Sequence, residues 1–275
     1  MTTETIYLRE GDPKIKMQTF VHDDTYNVYA GKRSAMVVLA GGGYMFLANN
    51  REGEPVAINY FAEGFNCFLV DYSIGDDAGF PRPVQDVSAA IVHIRRNAEK
   101  YNVDPEKIYV IGFSAGGHLA ASIGSFWDED WAIYGDMKKG ENKPTAVLTC
   151  YPVITGDTRY YHHDSFMRLL GYPIDKQDAT EEELALYSVE KHITEKTVPT
   201  FIWHTFEDTT VPVENALVYA TALKAADVHF EMHIYPKKDH GLSIATKETW
   251  WGAEHLNDPH VGSWFRDSLE FVKLF

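Results

Sequence analysis

The sequence predicts a doubly wound α/β fold, in which helices cover both faces of a mainly parallel sheet. Short apolar runs that are typical of buried strands alternate along the chain with amphipathic stretches at helical spacing. Several of these runs end directly in glycine or polar residues, as strands do at the ligand-binding edge of such sheets. A chain of 275 residues that is 45% hydrophobic is long enough for one large core. Without a repeat or linker, 1–275 is expected to be a single domain.

The first strands differ from the later ones in their pattern. Residues 5–8 and 14–20 mix polar and apolar side chains, which predicts one or two antiparallel edge strands. Continuous apolar runs predict buried parallel strands. These lie at 35–39, 66–70, 108–111, 146–150 and 198–205, and an alternating strand follows at 228–235.

The helices are expected between these strands. The clearest is 84–100, where Val84, Val87, Ile91, Ile94 and Ala98 recur at steps of three and four. The others are placed at 53–63, 117–123, 213–226 and 262–274.

Residues 155–197 break this alternation. Helices are expected at 162–170 and 181–193, with Gly171, Tyr172 and Pro173 between them. The segment is interpreted either as an insertion that caps the C-terminal edge of the sheet or as a surface excursion.

The stretch 111–117 provides a candidate nucleophile. Gly112-Phe-Ser-Ala-Gly116 is a G-x-S-x-G pentapeptide between a predicted strand and a helix of small residues. This context forces a strained turn that exposes the Ser114 hydroxyl, and only small neighbours leave room for it. Such a hydroxyl needs a base, which in turn needs an orienting acid.

The acid and the base should also follow strand ends. Asp208 comes directly after strand 198–205, although an Asx turn or a helix N-terminus would also explain it; Glu207 is expected to point elsewhere. Among twelve histidines, His240 lies in the loop after strand 228–235, whereas His204 falls inside a strand and is expected to be packed in the core. Ser114, Asp208 and His240 then occur in the order serine, acid, histidine.

A glycine run, 41–43, follows the first central strand and suggests an oxyanion hole. Glycines let backbone N–H groups approach a substrate oxygen closely. One donor is expected from Gly42 or Gly43 and the other from Ala115. A phosphate site is the alternative, but no nucleotide-binding glycine motif is present.

Four motifs together carry a family resemblance: 39–44 (LAGGGY), 112–120 (GFSAGGHLA), 204–208 (HTFED) and 239–241 (DHG). Over about 33–275 the chain resembles the α/β-hydrolase superfamily, most closely its bacterial branch of acetyl-xylan-esterase-like and feruloyl-esterase-like carbohydrate esterases. The resemblance implies the α/β-hydrolase fold, a serine-dependent carboxylic-ester hydrolase and an acetylated sugar or xylan fragment as substrate. Ala40 stands where related lipase groups carry histidine, which argues against membership of those groups.

Aromatic residues near the motifs suggest substrate contacts. Tyr44 follows the oxyanion glycines and is expected on the acyl side. Trp250 and Trp251 follow His240 and offer a surface for a sugar ring, with packing in the core or at the surface as the alternative.

Charge and composition limit the partners. The net charge of −15 disfavours nucleic acid and anionic membranes. Cys67 and Cys150 lie in predicted strands and are expected to be free, and no cofactor or metal is expected because no Cys/His cluster occurs. The first residues lack a signal-peptide pattern and no apolar run could span a membrane, so a cytoplasmic location is expected. Apolar surface on the terminal elements is compatible with a homodimer.

Two other functions fit the same motifs. A peptidase or amidase would use the same three residues, although no basic clamp for a peptide terminus is evident. A non-catalytic binding protein on this fold is disfavoured because such proteins commonly lose the serine or the histidine, and both are present here.

Overall fold

A computed structural model of the chain describes residues 1–23, 31–173, 175–176, 179–250 and 252–275. Within these residues the strands form one sheet. They are β1 (Thr5–Tyr7), β2 (Lys16–Phe20), β3 (Arg33–Leu39), β4 (Asn66–Asp71), β5 (Val103–Phe113), β6 (Ala146–Cys150), β7 (Thr200–Thr205) and β8 (Phe230–Tyr235). The helices are α1 (Glu54–Ala62), α2 (Arg82–Arg96), α3 (Ala115–Phe126), α4 (His163–Leu169), α5 (Glu181–Ala185), α6 (Glu214–Ala225) and α7 (Trp264–Val272).

The strand order across the sheet is β1-β2-β4-β3-β5-β6-β7-β8. β1 and β2 are antiparallel edge strands, and every pair from β4 to β8 is parallel. β4 and β5 lie on opposite sides of β3, so the direction in which successive strands are added to the sheet reverses at β3. The C-terminal ends of β3 and β5 are therefore neighbours, with Leu39 paired to Gly112, at the point where such sheets bind ligands.

The core has two layers, one on each face of the sheet. Alternate residues of β3 divide between them, because side chains of a strand point to opposite faces. Val37 and Leu39 pack with α2 and α3, whereas Met36 and Val38 pack with α1 and α7. α6 covers β7 on the α3 face.

The segment after β6 forms a small separate cluster. Val153, Phe166, Met167, Leu184 and Val211 are buried together, so α4 and α5 pack on each other and on the loop after β7. Phe80 N–H donates to Leu169 O, which joins α4 to the loop before α2. The segment therefore lies at the C-terminal edge of the sheet; that it serves as a cap, within one domain spanning 1–275, stays a prediction.

The mostly parallel sheet with helices on both faces confirms the predicted fold class. One helix prediction needs correction. The predicted helix 181–193 ends at Ala185, because Ser188 turns inward, where its hydroxyl donates to Leu184 O and accepts from Gly156 N–H. The predicted helix 53–63 is preceded by a π-helical turn, Asn49–Gly53. The predicted edge-strand region up to residue 30 extends into 24–30, outside the described residues.

Cys67 and Cys150 are buried free thiols, as expected. In the described part of the chain, no helix is long and apolar enough to cross a membrane.

Candidate active site

Ser114 occupies a strained turn between β5 and α3. Its backbone has φ 52° and ψ −116°, a conformation that a residue with a side chain rarely adopts. The turn places its neighbours in very close contact. A Cβ on Gly112 would lie 1.9 Å from Gly116 O, and one on Gly116 would lie 2.3 Å from Leu39 O. Only glycine fits either position, so the pentapeptide is required by the packing of its own turn.

Three predicted residues meet at this turn through hydrogen bonds. His240 Nε2 is 2.8 Å from Ser114 Oγ, and His240 Nδ1 is 2.6 Å from Asp208 Oδ2. A carboxylate accepts only, so Nδ1–H donates to Asp208. Neutral His240 is thereby held with Nε2 free to accept the proton of Ser114.

Asp208 is held by four donors. Its Oδ1 accepts from the backbone N–H groups of Thr210 and Val211, and its Oδ2 lies 3.2 Å from His204 Nε2 as well as beside His240. Burial by itself would raise the pKa of Asp208, but the hydrogen bonds and charges of His204 and His240 outweigh it and bring the pKa below its ordinary value. Asp208 is therefore ionised across the neutral range.

His204 is a site residue that the sequence reasoning did not identify. It is buried inside β7, as expected of a core histidine. Its Nε2 lies 2.9 Å from Val211 O, and a carbonyl oxygen only accepts, so Nε2 carries the proton that also faces Asp208. The i, i+4 spacing of His204 and Asp208 across a strand end is a weak signal that could have indicated this contact.

The acids next to Asp208 and His240 in the sequence have other partners, and Glu207 points elsewhere as predicted. Glu207 points outward and pairs with Lys237. Asp239 accepts from the backbone N–H of His240 and from Thr209, so it does not reach the His240 ring.

The glycine run forms a turn directly beside Ser114. A Cβ on Gly41 would lie 3.0 Å from the Ser114 Cβ. Gly42 and Gly43 have φ of 134° and 63°, and a Cβ on Gly42 would lie 2.1 Å from Phe46 O. Over the described residues, the N–H groups of Gly42, Gly43 and Ala115 donate to no protein acceptor. These unpaired donors are available to an oxygen bound at Ser114.

A buried network beneath the turn links it to the His240 loop, and sequence reasoning missed it. Glu52 accepts from Gly41 N–H at 2.8 Å and from Tyr151 Oη at 2.7 Å. Tyr151 Oη in turn accepts from Ser243 N–H at 2.9 Å, and its ring packs edge-on against His240. Burial and the neighbouring Glu52 raise the pKa of Tyr151 well above its ordinary value, so it remains a donor to Glu52.

Arg51, next to Glu52, also forms hydrogen bonds to the loop that carries His240. Its guanidinium donates to Gly241 O and, at 3.1 Å, to Thr249 O. The π-helical turn that carries Arg51 and Glu52 thus connects the glycine turn after β3 with the loop that carries His240.

Tyr44 does not reach the substrate side in this structure. Its ring is fully buried, and its hydroxyl lies 2.9 Å from His118 Nδ1. His118 Nε2 donates to Tyr187 O at 2.8 Å, so Nδ1 must accept from Tyr44. Burial lowers the pKa of His118 to about 4, which keeps the ring neutral. Tyr44 therefore joins the glycine turn to α3 and to the segment after β6.

Trp250 gives no support for a sugar-binding surface. Trp250 is half-buried and packs against the core layer of α1 and α7, which is the packing alternative. Trp251 lies outside the described residues. Phe46, at 53% exposure, is instead the aromatic side chain next to the glycine turn, with Cδ2 3.1 Å from a Cβ placed on Gly42.

In the described ranges, no cluster of His, Cys, Asp or Glu side chains is arranged to hold a metal ion. The donors and acceptors at Ser114 are those that attack by a hydroxyl group and proton transfer to a histidine require.

The fold and this serine-centred site define an α/β hydrolase. The BD-FAE family model matches residues 25–223, and the chain belongs to that family. This confirms the expected superfamily and its esterase branch.

Similar proteins include carbohydrate-active enzymes. The chain is 36% identical over 242 residues to endo-1,4-beta-xylanase B of Butyrivibrio fibrisolvens, covering 86% of this chain and 36% of that protein. It is 30% identical over 237 residues to the acetylxylan esterase of Xylanibacter ruminicola, covering 84% of this chain and 45% of that protein. The chain thus spans less than half the length of these curated relatives.

A solved structure matches over nearly its whole length. The acetyl ester-xyloside bifunctional hydrolase of Caldicellulosiruptor lactoaceticus superposes with a TM-score of 0.76 at 31% identity, covering 96% of each chain. The carboxylesterase Cest-2923 of Lactobacillus plantarum has a TM-score of 0.81 at 23% identity and supports the fold alone.

Proposed function

We propose that this protein is a serine-dependent carboxylic-ester hydrolase that removes acetyl or other small acyl groups from sugars or xylan fragments. The observation that carries the proposal is the hydrogen-bonded relay from Ser114 through His240 to Asp208, at 2.8 Å and 2.6 Å, beside unpaired backbone N–H groups. The roles of nucleophile, base and orienting acid follow from this order.

Acyl transfer proceeds in two halves. Ser114 Oγ attacks the ester carbonyl while His240 Nε2 takes its proton, and the negative charge on the carbonyl oxygen is met by N–H groups of Gly42 or Gly43 and of Ala115. His240 then protonates the leaving alcohol, which departs and leaves an acyl group on Ser114. Water, deprotonated by His240, attacks this acyl group, and the released Ser114 recovers the proton.

Asp208 acts on His240 during both halves. The lowered pKa of Asp208 keeps its carboxylate charged while the imidazolium forms, so the positive charge is stabilised by a partner at 2.6 Å. The carboxylate also fixes the His240 tautomer that accepts the serine proton.

The substrate class rests on the relatives. A xylanase, an acetylxylan esterase and an acetyl ester-xyloside hydrolase are all similar to this chain, and the last of them is matched along 96% of its length. An acylated xyloside or short xylan fragment is a neutral substrate, which suits a surface with a net charge of −15.

The substitution Ser114→Ala tests the proposal. We expect kcat for p-nitrophenyl acetate to fall by roughly 10⁴-fold or more, because the nucleophile is removed, with an unchanged thermal midpoint. Ser122→Ala, about two turns further along α3, is the matched control and should keep near-wild-type activity. Hydrolysis by Ser114→Ala at the wild-type rate would contradict the assignment. Aminoacyl anilides assayed in parallel separate a peptidase from an esterase.

The cytoplasmic location and the homodimer stay predictions from the sequence. Size-exclusion chromatography with light scattering measures the second directly.

A further inference from the structure

His162 lies at the glycine turn although it comes from the segment after β6. It is the residue before α4, and its Nδ1 lies 3.3 Å from Ser165 N and 2.9 Å from Ser165 Oγ. Its Cε1 is 3.6 Å from a Cβ placed on Gly43, the closest approach of this segment to that position. The ring therefore borders the glycine turn that carries the candidate oxyanion donors Gly42 and Gly43.

The ring of His162 responds to the charge of His240. Burial lowers the pKa of His162, and a positive charge on His240 lowers it further. The neutral form of His162 is therefore favoured while His240 is charged. The contact with the Gly43 position places His162 at the glycine turn.

The hydrogen bonds of His162 define its tautomer. A backbone N–H can only donate, so Nδ1 accepts from Ser165 and is unprotonated in the neutral ring. The proton then resides on Nε2. No acceptor in the described part of the chain pairs with that Nε2–H. The result is a fixed neutral donor at the edge of the site, next to Gly43.

We propose that His162 binds the alcohol portion of the ester, with Nε2–H donating to a hydroxyl or ring oxygen of the sugar beside the scissile bond. The inference rests on the proposed function and adds the residue that favours sugar esters over simple ones.

The alcohol portion is the appropriate partner for two reasons. The carbonyl oxygen already has backbone donors in the glycine turn and at Ala115, so it needs no further one. The leaving alcohol must sit within reach of His240 Nε2 to be protonated. That nitrogen faces Ser114, which lies beside the glycine turn that His162 borders. A hydroxyl group buried at that place needs a partner, because an unpaired one costs binding free energy.

Two substitutions separate the donor from the helix cap. His162→Asn retains an acceptor at the Nδ1 position, and asparagine is a favoured cap, but it removes the Nε2–H donor. His162→Gln retains an N–H group at the Nε2 position and loses the cap. Each variant thus removes one of the two contacts, so misfolding cannot be mistaken for loss of binding.

The assay compares kcat/KM for a monoacetylated methyl xyloside with kcat/KM for p-nitrophenyl acetate, whose alcohol has no hydroxyl neighbours. For His162→Asn we expect about a tenfold loss on the sugar ester, less than about twofold on the aryl ester, and an unchanged Tm. For His162→Gln we expect sugar-ester activity within about threefold of wild type and a Tm lower by about 2 °C.

Three outcomes would overturn the proposal. Equal losses on both esters in His162→Asn would assign the ring to the shared acyl or carbonyl part. Unchanged activity on both esters would make His162 only a helix cap. If the wild-type protein did not turn over the xyloside, there would be no sugar ester for His162 to bind. Failure of the esterase function itself is seen separately, as aryl-ester hydrolysis that survives Ser114→Ala.

Discussion

Replacing Asp208 by asparagine changes the proposed relay at a single atom. Oδ1 accepts from the N–H groups of Thr210 and Val211 at 3.0 and 2.8 Å, so the asparagine oxygen should keep that position. The amide nitrogen then takes the place of Oδ2, facing His240 Nδ1 at 2.6 Å and His204 Nε2 at 3.2 Å. An amide nitrogen only donates, so it would oppose the N–H donor at His240 Nδ1 and the N–H donor at His204 Nε2.

The expected loss follows from the tautomer. With a donor opposite Nδ1, neutral His240 carries its proton on Nε2 and cannot accept the proton of Ser114. The equivalent substitution in serine proteases lowers kcat by roughly 10⁴-fold, and we expect a loss of that order here. The variant also loses the carboxylate that stabilises the imidazolium, which acts in the same direction.

The measurement is kcat for p-nitrophenyl acetate between pH 6 and pH 9, together with Tm. Glu207→Gln is the matched control, because it neutralises the adjacent acid, which pairs with Lys237 at the surface. The control should retain near-wild-type kcat. If Asp208→Asn stayed within about tenfold of wild type, Asp208 would not orient His240 in the reaction, and the relay would be wrong.

Two other perturbations test the surrounding network. In Glu52→Gln either Gly41 N–H or Tyr151 Oη loses its acceptor. We expect kcat to fall roughly tenfold with KM nearly unchanged, and the free energy of unfolding to fall by about 2 kcal/mol. Steady-state kinetics and urea denaturation measure these changes. Equal changes in KM and kcat would argue against a positioning role. Burial lowers the pKa of His118 from 6.5 to about 4, so the unfolded state binds the extra proton between these values and stability falls as pH falls through them, by about 3 kcal/mol. His118→Gln should remove that part of the pH dependence, and an unchanged slope of unfolding free energy against pH would refute it.

The strands were predictable because their signal is local. β3, β4 and β6 are continuous apolar runs, and both of their faces are buried in the structure. The proximity of Ser114, Asp208 and His240 was predictable for a topological reason. Each residue follows a strand, and the C-terminal ends of parallel strands share one edge of the sheet.

The contacts around these residues were not predictable in the same way. Glu52 and Tyr151 are 99 residues apart, and neither lies in a motif. His162 follows no strand directly, so the rule that located His240 excluded it. Their positions depend on how the segment after β6 and the turn before α1 pack, which single-sequence patterns do not encode.

Side-chain direction was the other limit. Tyr44 follows the glycines in sequence, but its φ of 58° belongs to a turn that directs the ring into the core, towards His118. Phe46, two residues later, is exposed instead. Adjacency in sequence to a site therefore did not indicate which aromatic ring faces it.

In the proposed mechanism Ser114 is the nucleophile, activated by His240. The most direct test is the reaction of the folded protein with a fluorophosphonate, followed by intact mass measurement and peptide mapping. We expect one adduct per chain, located on Ser114, absent in Ser114→Ala and formed much more slowly in Asp208→Asn. An unlabelled folded wild-type protein, or an adduct on another serine, would show that Ser114 is not the nucleophile.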